Sequence, residues 1–93
     1  MFLQISDAVI WQDAGEFVSL YHLDHGEFLT LNESGAKIWK LVDSEGDLDA
    51  VVAKLSMEYA GSSTAMSGRI RGEVRRFVDA MVKRGLLAEG QPA

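Results

Sequence analysis

Glu27-Phe28-Leu29-Thr30-Leu31-Asn32-Glu33-Ser34-Gly35-Ala36-Lys37-Ile38-Trp39 decides how this chain reads. The stretch opens as a strand and closes as a helix. Glu27 to Leu31 has the aromatic, branched and alternating character of a half-buried strand. Asn32 supplies a side-chain oxygen for the unpaired N–H groups of a helix start. Gly35 falls in the first turn, where a missing side chain predicts close approach of another backbone. Ile38 and Trp39 follow as apolar anchors. A strand running directly into a helix sets the angle between a sheet and a helical layer.

Upstream, the sequence predicts a loose lead-in over 1–7 and short strands over Ala8–Gln12 and Glu16–Leu23. Asp13-Ala14-Gly15 and Asp24-His25-Gly26 are the turn signals between them. Three strands joined by two tight turns make an antiparallel meander. Two registers are open for the second hairpin. A two-residue turn at Asp24-His25 pairs Leu20 with Leu29 and Val18 with Leu31. A bulge at Gly26 instead sets Tyr21 opposite Leu29. Leu29 and Leu31 are expected to face the helices in either case.

Downstream, a first helix is predicted from Glu33 to Val42, broken by Asp43–Gly46. Asp47 caps a second helix, in which Leu48, Val51, Val52, Leu55 and Tyr59 recur at helical spacing. Ala60–Ala65 reads as a loop. A third helix starts between Thr64 and Ser67 and ends near Arg84. Its Ile70, Val74, Phe77, Val78, Met81 and Val82 share one arc. Gly85 closes it, Leu86 and Leu87 return to the core, and 89–93 are expected to fray. Gly68 and Gly72 are unusual inside a helix. They mark either a frayed first turn or a notch against which another chain lies.

The chain has 93 residues, 47% of them hydrophobic, which fits one domain over 1–93 with its core at about 8–88. No cysteine is present, which excludes disulfides, Cys-ligated zinc and thiol catalysis. No apolar run approaches the ~20 residues of a membrane span, and the N-terminus does not read as a signal peptide. A cytoplasmic protein without membrane contact is expected. The net charge of −5 is unevenly spread: Met66–Arg84 carries six basic and two acidic residues, whereas residues 1–65 carry three basic and eleven acidic. The basic helix is either a solvated face, a surface for an anionic partner, or the recognition helix of a small winged-helix DNA-binding protein.

Little in the sequence suits catalysis. No nucleophile elbow, P-loop or dinucleotide fingerprint occurs. His22 and His25, with Asp24 and Glu27, form either a weak metal site or a pair of solvated turn histidines. Trp11, Tyr21, Phe28 and Trp39 are either core or a binding platform. No catalytic residue, metal or cofactor is expected, and no nucleic acid in the favoured reading.

Taken together, Gly26–Val42 (GEFLTLNESGAKIWKLV), the Leu55-x-x-x-Tyr59 helix end, Val74-Arg75-Arg76-Phe77-Val78 and Lys83-Arg84-Gly85-Leu86-Leu87 resemble PqqD-like proteins over residues 8–88. The resemblance implies an α+β fold: a three-stranded antiparallel meander followed by three helices, winged-helix-like. It implies a non-catalytic adaptor that binds the leader segment of a ribosomally made precursor peptide and delivers it to a modifying enzyme or leader peptidase. The Leu23-Asp24-His25-Gly26 turn resembles stand-alone members of lasso peptide pathways. The alternative within the family is a chaperone of the pyrroloquinoline quinone precursor. A leader peptide is expected to add as a strand to the free edge of Glu27–Leu31. Glu27, Phe28, Leu29, Thr30 and Leu31 would form one wall, with Val74, Phe77, Val78 and Met81 opposite. Arg71 and Arg75 would pair with acidic leader residues. The same free edge also allows self-pairing, so oligomeric state is open.

Overall fold

A computed structural model describes residues 1–59 and 64–90. Its elements are β1 (Phe2–Ile5), β2 (Val9–Asp13), β3 (Val18–His22), β4 (Glu27–Leu31), α1 (Glu33–Glu45), α2 (Leu48–Tyr59), α3 (Thr64–Lys83) and β5 (Leu87–Gly90). The expected α+β architecture holds: β2, β3 and β4 form an antiparallel meander, and three helices follow.

The hairpin register is that of the two-residue turn, with Leu20 opposite Leu29 and Val18 opposite Leu31. Tyr21 lies opposite Phe28, not Leu29. The inner row is therefore Trp11, Leu20 and Leu29, and the helix-facing end is closed by buried Val18 and Leu31. Trp39 of α1 is fully buried beneath this face and meets Trp11 edge-on, with ring centroids 6.2 Å apart. Burying a side chain of this size contributes several kcal/mol, so Trp39 belongs to the core rather than to a platform.

Two expectations about the ends are corrected. The lead-in is β1, which pairs antiparallel with β5 from Phe2↔Gly90 to Ile5↔Leu87. Leu3 is buried, and its N–H donates to Gly46 O at 2.7 Å. Short strands without strong alternation gave no local signal; the pairing joins residues more than eighty positions apart. Glu89 and Gly90 accordingly lie in a strand. The fraying expected for 91–93 lies outside the described residues, as does most of the loop expected at 60–65.

The first helix also runs one turn past Val42, to Glu45. Gly46 ends it, its N–H donating to Val42 O at 2.9 Å. Asp47 begins α2 through its backbone, accepting from Val51 N–H at 3.0 Å, while its carboxylate lies 3.6 Å from the terminal amine. At the end of α3, Gly85 adopts φ +76°, Leu86 N–H donates to Met81 O, and Gly85 N–H donates to Val82 O. These two bonds make a Schellman cap that turns buried Leu86 and Leu87 back into the core. Nothing lies within 4 Å of a Cβ built on Gly68 or Gly72, so no described segment fills a notch there.

Candidate functional site

The site is built where β4, the start of α1 and α3 converge. Asn32 caps α1: its Oδ1 accepts from Gly35 N–H at 3.0 Å and from Ser34 Oγ at 3.1 Å. This cap holds β4 and α1 at a fixed angle. A Cβ on Gly35 would sit 3.3 Å from Phe77 Cε2. The close approach expected at Gly35 is therefore made by the Phe77 ring, not by a backbone. With the ring seated there, an open groove of about 370 Å3 runs between β4 and α3. Its walls are Leu29, Thr30, Leu31 and Asn32 on one side and Glu73, Phe77, Met81 and Arg84 on the other; Ser34, Gly35 and Ile38 floor its upper end.

One side of β4 is unpaired among the described residues. The phase of its hydrogen bonds follows from β3. Leu23 N–H donates to Ala8 O, toward β2, and His22 O accepts from Gly26 N–H, toward β4. Backbone groups alternate sides along a strand, so Val18, Leu20 and His22 bond to β4. Their partners Leu31, Leu29 and Glu27 spend their backbone groups on β3. Phe28 and Thr30 then point their N–H and C=O groups outward along the groove. This is a row of unpaired donors and acceptors beside an apolar trough.

The groove carries one charge toward each end. Glu73 stands at the α1 end. At the other, Arg84 donates from Nε to Glu27 Oε1 at 2.9 Å and from Nη2 to the same oxygen.

The family model for coenzyme PQQ synthesis protein D (PqqD) matches residues 18–87. The chain belongs to the PqqD family. No curated protein matches it. A solved structure described as TbiB1 in complex with the TbiA(beta) leader peptide is similar to this chain at 26% identity and a TM-score of 0.82, covering 96% of this chain and 99% of that one.

Against this PqqD-family frame the sequence-derived site residues separate into groups. Leu29, Thr30, Leu31, Phe77 and Met81 meet in the groove. Glu27 lies at its end, held by Arg84. Val78 is fully buried in the core, and buried Val74 faces a smaller crevice between the three helices. Phe28 lies on the opposite face of the sheet, 66% exposed. The two arginines point elsewhere. Arg71 donates to Asp49 of α2 at 2.9 Å, holding that carboxyl below its usual range. Arg75 pairs with Asp79 one turn on and reaches Met1 Sδ.

Glu73 and Arg84 were not singled out from the sequence. Glu73, Phe77 and Met81 follow one another at i, i+4 and i+8, so stepping from Phe77 along the helix locates Glu73.

Among the described residues no group of three His, Asp or Glu side chains could hold an ion. His22 is buried rather than solvated, and its Nδ1 accepts from the backbone N–H of Asp24 at 3.2 Å and of His25 at 3.3 Å. The two rings stack at 3.9 Å beneath Gly85, so the pair braces the hairpin against the end of α3. No described helix is long and apolar enough to cross a membrane.

Proposed function

We propose that this chain is a non-catalytic adaptor that binds the leader segment of a ribosomally made precursor peptide as a fourth strand on β4. It then delivers the peptide to a maturation enzyme, in lasso peptide biosynthesis and in the cytoplasm. The observation that carries the reading is the open edge of β4 set along the groove. Phe28 and Thr30 offer generic backbone pairing, and the groove walls offer selection among leader side chains. The solved relative described in complex with a leader peptide supports the same occupant.

The family description keeps a second reading in play, in which the peptide is the pyrroloquinoline quinone precursor. The DNA-binding alternative is less favoured: the family match and the relative described with a leader peptide point to a peptide partner, and Arg71, Arg75 and Arg84 each already pair with a carboxylate.

Fluorescence anisotropy with labelled leader peptides tests these readings together. The cognate leader should bind with a Kd in the sub-micromolar to micromolar range, about −8 to −10 kcal/mol. Tight binding of the quinone precursor in place of a lasso leader would move the chain to the second pathway. Salt-sensitive binding of duplex DNA with no leader binding would overturn the adaptor reading.

A further inference from the structure

The outer face of a three-stranded antiparallel sheet is normally polar. Here one outer row obeys that rule and its neighbour does not. Gln12, Ser19 and Thr30 align across the three strands. In the next outward-facing row Ile10, Tyr21 and Phe28 align, with exposures of 59%, 39% and 66%. Three large apolar side chains thus lie side by side on an exposed face, a contiguous patch of the kind that is often functional.

The strands and turns that carry the row hold acidic residues and no basic ones. Residues 1–31 contain Asp7, Asp13, Glu16, Asp24 and Glu27 and no lysine or arginine. Asp13 and Glu27 are paired with Lys40 and Arg84. Asp7, Glu16 and Asp24 make no ion pair among the described residues. Leu23 N–H donates to Ala8 O, which brings the turns carrying Asp7 and Asp24 to the same end of the sheet, beside the apolar row.

We propose that this outer face docks the leader peptidase of the pathway, through a surface on that enzyme with an apolar centre and a rim of Lys and Arg. The proposal rests on the adaptor reading: an adaptor needs one face for its peptide and another for its enzyme. The groove and the apolar row lie on opposite faces of β4, so the two are not in competition. They also adjoin. A peptide strand added to β4 sets an outward side chain beside Phe28 and lengthens the row from three residues to four. The enzyme thus meets a larger patch on the loaded adaptor than on the empty one, and complementary charge speeds encounter.

The test uses the full chain, the cognate leader peptide and the purified leader peptidase of the same pathway. The double variant Ile10→Thr/Tyr21→Ser should lower peptidase affinity at least tenfold and change leader affinity less than twofold. Asp7→Asn/Asp24→Asn, which leaves the apolar row intact, should lower the peptidase association rate several-fold. Saturating leader should tighten peptidase binding to the wild type. Peptidase affinity unchanged in both variants, or absent in the wild type, overturns the proposal. So does an equal loss of leader affinity, which would make this face part of the peptide site. A wild-type dimer that Ile10→Thr/Tyr21→Ser turns into a monomer, with peptidase binding intact, assigns the face to a second copy and overturns it as well. Failure of the wild type to bind leader instead strikes the adaptor reading, and the peptidase arm without leader is read separately from it.

Discussion

The ring of Phe77 packs tightly against the first turn of α1, with Cε2 3.3 Å from the Cβ position on Gly35. This contact joins α3 to the first turn of α1 and shapes the floor of the groove. Gly35→Ala removes a helix-disfavoured residue, a gain of up to about 1 kcal/mol. It also pushes the ring by a few tenths of an ångström into the peptide path. Thermal stability should change little, and leader affinity should fall several-fold. Gly35→Ala/Phe77→Leu should recover part of the loss, read by anisotropy alongside thermal melts.

Thr30→Pro removes an outward-pointing N–H without touching the β3–β4 ladder. Proline is tolerated on an edge strand for that reason. Circular dichroism should show an intact fold, and leader affinity should fall by about tenfold, the scale of one lost backbone hydrogen bond with its unpaired partner.

Leu3→Ala tests whether β1 is structural. Leu3 is 5% exposed and packs with the main core. The substitution should cost about 2–5 kcal/mol by urea denaturation, as for other buried leucines. A loss below 0.5 kcal/mol would return residues 1–7 to the role of a loose lead-in.

Lys37 Nζ donates to Glu58 Oε1 at 2.7 Å and also to Tyr59 Oη. The ammonium holds the Glu58 carboxyl below its ordinary 4.5, and the same bonds raise the lysine's own pKa. Since the folded carboxyl titrates lower than the unfolded one, its stabilising effect is present above pH 4.5 and lost as pH falls through the depressed value. In Lys37→Met, carboxyl NMR titration should show Glu58 returning upward toward 4.5.

The meander, the three helices and the inward face of β4 were legible because they rest on local patterns: alternation at Leu29 and Leu31, the Asn32 cap, and helical spacing through α2 and α3. The β1–β5 pair was not, because neither strand carries an amphipathic period and their pairing is non-local. Hydrophobic periodicity puts Phe77 and Met81 on the helix face that lines the groove. It does not give the direction of Arg71 and Arg75, which turn to Asp49 and Asp79 instead, partners that charge counting does not order. Read as one contiguous wall, the strand puts Phe28 in the groove. Alternation sets it on the other face, opposite Tyr21 rather than beside Leu29.

The central claim is that a leader peptide becomes the fourth strand on β4. Amide hydrogen exchange with and without saturating cognate leader tests it residue by residue. In the free chain Glu27, Leu29 and Leu31 should already be protected by β3, while Phe28 and Thr30 exchange freely. On leader binding, Phe28 and Thr30 should slow by at least tenfold, and the other three should change much less. Leader binding that leaves both Phe28 and Thr30 unprotected, with new protection on β2 or the outer face instead, would contradict the account.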